Sequence, residues 1–355
     1  EKSSFVFSAR RSYLKFLFSA IGLPFLPTFN DFQFKYRTRL DPKNEITLIG
    51  LGAIDVNELN LGIKNPDDQQ KYILSQIPVS EQWNYSLGLV YKHFRENSYQ
   101  TVVLSRSHLD NRAYKYFDND DSSESNKILD YSSQEIENKF RFENLYRFDG
   151  FKLNAGMNVD FAAYKNSTET RRFYSGGILN VNYLTDLNLV KWGLFIQASK
   201  NVFNERLALS LGLRADANNY SKSMNNLFRQ VSPRFSASYA LTSKVNLNFN
   251  SGIYYQLPTY TSLGFKENGV YVNKENNLRY IAATHLIGGL EYKPQKTVQL
   301  SLEGFWKGYN HYPLSVKDNI SLANKGADFG VVGDEEVVST SEGRAYGAEF
   351  QARIN

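Results

Sequence analysis

The chain has 355 residues, of which 42% are hydrophobic, with a mean hydropathy of −0.45 and a formal net charge of +5. It contains no cysteine, which excludes disulfide frameworks, zinc–thiolate sites and cysteine nucleophiles. The basic residues are scattered, which argues against nucleic-acid binding. The longest apolar stretch, Phe16 to Pro27, is too short for a spanning helix, which needs ~20 apolar residues.

Aromatic residues are frequent, with 24 Tyr and 25 Phe. Aromatic side chains spread over alternating segments suit a surface that meets a lipid interface. A large soluble β-sandwich has the same composition, so strand length and connections must separate the two classes.

Apolar and polar residues alternate along much of the chain, which is the pattern of strands with two different faces. In chain order, clear examples begin at Phe32, Lys139, Arg206, Val245, Thr297 and Arg344. Several of these runs reach about ten residues, longer than the ~5–6 typical of globular sheets and long enough to cross a bilayer when tilted.

The connections between these strands are alternately short and long. Short turns are predicted at 41–44, 95–98, 149–150, 202–205, 241–244 and 293–296, and long loops near 11–31, 54–83, 109–131, 165–188, 218–230, 258–282 and 310–343. This sorting is typical of an up-and-down transmembrane β-barrel, with tight turns at one end and long loops at the other. Phe173 to Leu184 alternates weakly and is assigned to a loop, which leaves about fourteen wall strands; an extra strand pair there is the alternative.

Particular segments carry a family resemblance. ERLALSLGLRAD (205–216), SPRFSASYAL (232–241), SGIYYQLP (251–258) and, most specifically, LEGFWKGYNHYPLSV (302–316) with SLANKGADFGVVGDEEVVSTSEGRAYGAEF (321–350) resemble the barrel of TonB-dependent receptors of the Bacteroidetes type. The resemblance implies an outer-membrane barrel of about 22 strands around a plug domain, in the size class whose lumen is plugged. We therefore expect residues 1–355 to form a single, partial barrel domain without the plug.

The polar faces of the strands carry charged residues that we predict to line the lumen: Lys35, Arg37, Arg39, Arg206, Arg214, Asp216, Arg234, Glu291 and Glu303. They either border a substrate path or pair with one another and with the plug. Lipid contact is excluded for them, since Arg or Lys costs ~2–4 kcal/mol at the bilayer midplane.

Aromatic and polar residues in and near the later loops are the candidate ligand contacts: Tyr254, Tyr260, Phe265, Tyr271, Tyr280, His285, Tyr309, His311 and Tyr312. Aromatic faces stack on sugars, haem or aromatic siderophores. The alternative is that these residues form interfacial girdles or pack the loops against themselves. No catalytic residue, metal site or cofactor is predicted.

Three functions remain open. As the resemblance implies, the first is import of a scarce nutrient (siderophore, haem, cobalamin, oligosaccharide or peptide), with TonB acting through the plug; outer-membrane lipid and a surface lipoprotein are further expected partners. The second is a passive porin or a structural barrel that scaffolds a larger complex. The third is a soluble β-rich carbohydrate-binding protein or enzyme.

Overall fold

The computed structural model describes residues 2–174, 177–325 and 332–354. Fourteen strands dominate it: β1 (Ser3–Arg11), β2 (Phe25–Asp41), β3 (Asn44–Leu59), β4 (Val79–Phe94), β5 (Ser98–Tyr116), β6 (Lys127–Phe148), β7 (Phe151–Tyr174), β8 (Gly177–Val202), β9 (Leu207–Asn218), β10 (Val231–Ala240), β11 (Val245–Gln256), β12 (Ile281–Gln295), β13 (Val298–Ser315) and β14 (Val337–Ile354).

Five short helices lie between the strands: α1 (Leu14–Ala20), α2 (Asp68–Gln76), α3 (Lys222–Asn225), α4 (Tyr260–Gly264) and α5 (Val272–Glu275). In the described part of the chain, none of them combines the length and apolar character that crossing a membrane as a helix requires.

All fourteen strands form one sheet in which each strand pairs antiparallel with its neighbours in sequence. This confirms the predicted all-β, up-and-down fold with fourteen strands. Among the described residues no ladder joins β1 to β14, so the sheet is open.

The register places apolar side chains of successive strands on one face, which we call the apolar face. Leu247 pairs with Leu290, Leu290 with Leu302, and Leu302 with Phe350. A second such row joins Leu89, Leu104 and Phe140, and many of these side chains are exposed. The opposite face, the polar face, carries Arg37, Glu137, Asp216, Glu291 and other charged residues.

Connections of different length lie at opposite ends of the sheet. Tight turns follow β2, β4, β6, β8, β10 and β12, whereas long connections follow β1, β3, β5, β9, β11 and β13. Because every strand pair is antiparallel, all of the long connections lie at one end, which we call the long-loop end.

One predicted loop was wrong. Residues 165–174 and 177–188 are not a loop but the outer parts of β7 and β8, which pair with each other as far as Tyr174 and Gly177. Residues 175–176 lie outside the described residues. The two strands therefore form a hairpin that extends beyond β9, since the pairing of β8 with β9 ends at Lys191 and Asn218.

Four other predicted loops, 11–31, 54–83, 109–131 and 310–343, are also too long, because strands extend into them: β2 begins at Phe25, β3 ends at Leu59, β5 ends at Tyr116 and β13 ends at Ser315. Residues 25–29 pair with β3 only, and the ladder with β1 begins at Asn30. Pro27 lacks a backbone N–H but is tolerated there, because that part of β2 is a sheet edge.

Candidate functional site

Three of the long connections fold together on the polar face at the long-loop end. Residues 219–230, 257–280 and the described parts of 316–336 form what we call the loop cap, which packs against the β7–β8 hairpin. Its buried cluster consists of Ala162, Tyr164, Leu187, Leu189, Tyr220, Met224, Leu263, Leu278, Tyr280 and Val337. These loops thus share an apolar core with the β7–β8 hairpin.

In the outer part of the hairpin, apolar side chains lie on the polar face, which is the reverse of the arrangement in the rest of the sheet. On β8, Leu187 and Leu189 are buried beneath the loop cap on the polar face. Seven residues further along, Ile196 is 48% exposed on the apolar face. The apolar side chains of β8 therefore change face near Val190, where the strand passes from the loop cap to the rest of the sheet.

Buried asparagines connect the segments of the loop cap. Asn273 donates from Nδ2 to the carbonyls of Ser262 (2.7 Å) and Glu335 (2.9 Å), and its Oδ1 accepts from the N–H of Val337 (2.8 Å). Its side chain is fully buried. Because a buried amide is stable only when its donors and acceptor are paired, Asn273 fixes three segments relative to one another.

A second asparagine performs a similar role at the end of β9. Asn218 donates to the hydroxyl of Tyr280 (2.8 Å) and accepts from the N–H of Tyr220 (2.8 Å). Burial raises the pKa of Tyr280 to about 12. Its hydroxyl is therefore a neutral group at physiological pH and holds the last residue of the loop against β9.

One cluster joins the loop cap to the wall of the sheet. Tyr260, the first residue of α4, donates from its hydroxyl to Glu137 on β6 and accepts from Lys191 Nζ on β8 at 2.9 Å. Lys191 also pairs with Glu137 at 2.6 Å, and Lys139 contacts the other carboxylate oxygen. Burial, followed by the hydrogen bond to Glu137, raises the pKa of Tyr260, so this phenol stays a donor.

The predicted lumen charges lie mostly on the polar face, where several form ion pairs within the sheet. Arg37 Nη2 lies 2.5 Å from Glu45, and Arg39 lies 3.6 Å from the same carboxylate. Arg214 binds Asp216 at 2.5 Å, and Glu291 pairs with Lys293 at 2.7 Å. These contacts favour the interpretation in which such charges neutralise one another.

The remaining predicted charges differ in their surroundings. Arg234 lies over the ring of Tyr254, with 4.6 Å from the guanidinium carbon to the ring centroid. Lys35 and Glu303 occupy polar-face positions on β2 and β13. Arg206 lies outside the strands, since β9 begins at Leu207, and it donates to the carbonyls of Ala240, the last residue of β10, and of Leu241 in the following turn. Its predicted position on a strand was therefore wrong.

The predicted ligand-contact residues divide into three groups. Tyr260, Phe265, Tyr271 and Tyr280 belong to the loop cap: the Phe265 ring stacks on Tyr183 at 5.9 Å, and the Tyr271 hydroxyl donates to the Asp186 carbonyl at 2.6 Å. Tyr309, His311 and Tyr312 follow one another at the long-loop end of β13, where the register shifts and His311 has a φ of 60°.

The third group is a small cluster on the polar face. Tyr254 on β11 and His285 on β12 lie with their ring centroids 4.7 Å apart. The guanidinium of Arg234 lies over the Tyr254 ring. Gly252 stands opposite both Arg234 and His285 and leaves room for the Tyr254 ring, which would lie 3.1 Å from a Cβ at that position. This cluster offers a flat aromatic surface beside a cation.

Sequence reasoning missed the residues that hold the loop cap in place. Glu137, Lys191, Asn218 and Asn273 have polar side chains in strands or short helices, and their neighbours in sequence carry no motif. Their partners lie far along the chain, for example 123 residues apart for Tyr260 and Glu137. One signal was available: Lys191 is a charged residue within the apolar stretch 189–195 of β8.

A two-faced, up-and-down sheet with tight turns at one end and folded loops at the other has the layout of a transmembrane β-barrel wall. The family comparison agrees with this class. The model of the TonB dependent receptor-like β-barrel family matches residues 16–355, and the chain belongs to that family. No curated protein matches it.

Solved structures share the fold at low sequence identity. The copper transporter OprC has a TM-score of 0.68 at 14% identity, with 100% of this chain and 54% of that chain covered. The ferric enterobactin receptor PfeA of Pseudomonas aeruginosa has a TM-score of 0.67 at 16% identity, covering 99% and 55%. The ferric-catecholate import receptor Fiu of E. coli K12 has 0.63 at 10% identity, covering 100% and 58%. The present chain therefore spans little more than half the length of these structures.

Proposed function

We propose that this chain forms part of the wall of a TonB-dependent receptor that imports a scarce nutrient across the bacterial outer membrane. In this proposal the apolar face contacts lipid, the polar face borders the lumen, and the loop cap lies on the extracellular side. A plug domain outside residues 1–355 closes the lumen, and TonB acts on that plug. The receptor carries no catalytic residue, because transport requires no bond chemistry.

The observation that carries the proposal is the fixed relation between the loops and the two faces. All long connections lie at one end, and three of them fold over the polar face around a buried cluster. An extracellular cap over an enclosed polar path suits selective capture of a ligand. A passive porin needs no such ordered cap, although it shares the two-faced wall.

The cluster of Arg234, Tyr254 and His285 is the proposed ligand-facing surface of this chain. Tyr254 and His285 lie on the polar face near the long-loop end, beside Arg234. Aromatic rings beside a guanidinium suit an anionic cargo that carries aromatic rings, such as a ferric catecholate. Fiu and PfeA bear the names of ferric-catecholate and ferric enterobactin receptors, which makes this cargo the first to test. Membership of the Bacteroidetes type and a surface lipoprotein partner stay predictions from the resemblance.

Uptake by cells tests the proposal. Cells that produce the whole protein, in otherwise identical strains with and without functional TonB, are offered labelled ferric catecholate, haem, cobalamin, an oligosaccharide or copper. The proposal expects saturable uptake of one cargo that requires both the receptor and TonB. Uptake that rises linearly with concentration and ignores TonB would instead support the porin.

Membrane extraction tests the third possible function, that of a soluble β-rich protein. A receptor wall stays with the outer-membrane fraction after alkaline carbonate washing and dissolves only in detergent. If the protein is released into solution without detergent, the soluble β-rich alternative is correct.

A further inference from the structure

A depression of about 450 Å³ lies on the apolar face between β3 and β7. Six apolar side chains line it: Leu48, Leu87, Leu89, Leu104, Phe140 and Phe161. All six lie on the face that the register assigns to the outside of the wall. Its size and lining suit part of an acyl chain.

The rim of this depression carries a cation, Arg106, among the apolar side chains that line it. Arg106 pairs with Leu87 across the β4–β5 ladder and therefore points to the apolar face. Its Nε donates to the Tyr85 hydroxyl at 3.0 Å, and its Nη1 donates to Asn138 Oδ1 at 2.8 Å. Both partners are neutral, and no carboxylate pairs with Arg106 within the part of the chain that the structure describes.

An unpaired Arg on a lipid-facing strand is costly, by ~2–4 kcal/mol at the midplane but only ~0–1 kcal/mol near the interface. The aromatic neighbours of Arg106 favour a position near the interface. Along β4 the apolar face carries, in order, Trp83, Tyr85, Leu87, Leu89 and Tyr91, so aromatic residues flank the two leucines at both ends. Such aromatic pairs mark the headgroup levels of a membrane, and Arg106 binds the tyrosine at the long-loop end.

The site is also held rigidly. His108, two residues beyond Arg106, is buried between Trp83 (ring centroids 4.3 Å apart) and Tyr85 (5.4 Å). This stack fixes the Tyr85 ring, whose hydroxyl in turn orients the guanidinium. Because two of its N–H groups are occupied by neutral acceptors, the remaining donors of Arg106 stay available to an oxygen-rich anion.

We propose that this surface binds one anionic, phosphate-bearing lipid of the leaflet at the long-loop end. The phosphate lies against Arg106 beside Tyr85 and Asn138, and an acyl chain lies in the apolar depression. The inference rests on the proposed lipid contact of the apolar face, but it does not depend on the cargo or on TonB.

Lipid titration followed by native mass spectrometry tests this site. The complete protein, purified in a nonionic detergent, is titrated with phosphatidylglycerol and with phosphatidylcholine of identical chains. Wild type is expected to retain one phosphatidylglycerol in preference to phosphatidylcholine. Arg106→Gln should weaken that retention about tenfold or more, as the loss of a charged hydrogen bond implies.

Two further variants control for charge and folding. Arg112→Gln removes a cation from the same face of β5, but that residue already pairs with Asp110 at 3.6 Å, so lipid retention should not change. Arg106→Lys keeps the charge and should retain most of the preference, which separates headgroup binding from misfolding. Unchanged retention in Arg106→Gln, or equal retention of the two lipids by wild type, would overturn the proposal.

Inorganic phosphate distinguishes the possible sources of the anion. If it displaces the lipid at millimolar concentration, Arg106 is a site for a free anion and the lipid assignment is wrong. Cargo uptake should be the same in Arg106→Gln as in wild type, so a failed uptake experiment and a failed lipid experiment remain separate results.

Discussion

The Tyr260 hydroxyl donates a hydrogen bond to Glu137, which lies 123 positions earlier in the chain. Glu137 is on β6, five strands away from β11, the strand that precedes Tyr260. This contact joins the loop that follows β11 to the polar face of β6. Lys191 completes the cluster from β8. The Tyr260 hydroxyl therefore connects the loop cap to the polar face of the sheet.

Tyr260→Phe should loosen the loop cap without disturbing the strands. The change removes a hydrogen bond to a carboxylate and leaves Lys139 and Lys191 to neutralise Glu137, so we expect a loss of about 1–2 kcal/mol. Limited proteolysis should show faster cleavage within 257–280. Tyr346→Phe, at an exposed position of the apolar face, is the matched control and should behave as wild type.

Asn273→Ala should have a larger effect on the same region. It leaves the carbonyls of Ser262 and Glu335 and the N–H of Val337 without their partner in a buried site. We expect the cap to lose about 2–4 kcal/mol, seen as faster amide hydrogen exchange in 257–280 and 332–337. Asn182→Ala, an exposed position, supplies the control, and equal exchange in both variants would show that Asn273 does not hold the cap.

The described part of the last long loop should respond to acid. A hydrogen bond from Lys325, 2.6 Å from Asp318, lowers the pKa of that carboxyl. Because the pKa is lower in the folded state, the contribution is complete above the unfolded value of ~3.9 and disappears as pH falls through the folded value. Hydrogen exchange of 316–325 should therefore be unchanged from pH 7 to 5 and rise below about pH 4 relative to intrinsic rates. Asp318→Asn should abolish that acid-dependent rise.

Leu211→Arg should impair assembly into the membrane. Leu211 is 64% exposed on the apolar face, and an Arg near the midplane costs ~2–4 kcal/mol. Ser210→Arg places the same side chain one residue away on the polar face and should be tolerated. Heat-modifiable mobility of the outer-membrane fraction measures the assembled share, and equal loss in the two variants would count against the assignment of faces.

The sequence predicts the strands correctly wherever the apolar residues stay on one face along the whole strand, as in β9, where Leu207, Leu209, Leu211 and Leu213 share a face. The prediction is wrong at β8 because its apolar residues change from one face to the other in mid-strand. Leu187 and Leu189 lie under the loop cap on the polar face, whereas Leu194 and Ile196 lie on the apolar face. A pattern whose phase changes in mid-strand resembles a loop unless the covering loops are known.

The candidate site was less predictable than the fold for a related reason. The sequence predicts that Tyr254 and His285 contact ligand, and the structure brings them together because Gly252 leaves space beside them. It predicts the same role for Tyr260 and Tyr280, but their hydroxyls bind Glu137 and Asn218 and hold the loop cap. Composition alone does not distinguish an aromatic residue that meets a ligand from one that packs a loop.

Site-directed spin labelling tests most directly whether the apolar face touches lipid and the polar face borders water. The chain has no cysteine, so Leu211→Cys and Ser210→Cys each provide a single labelling site on one strand. In reconstituted bilayers, a label at 211 should be relaxed mainly by oxygen, and a label at 210 mainly by a water-soluble nickel chelate. Equal access of the nickel chelate to both positions, or the reverse pattern, would contradict the account.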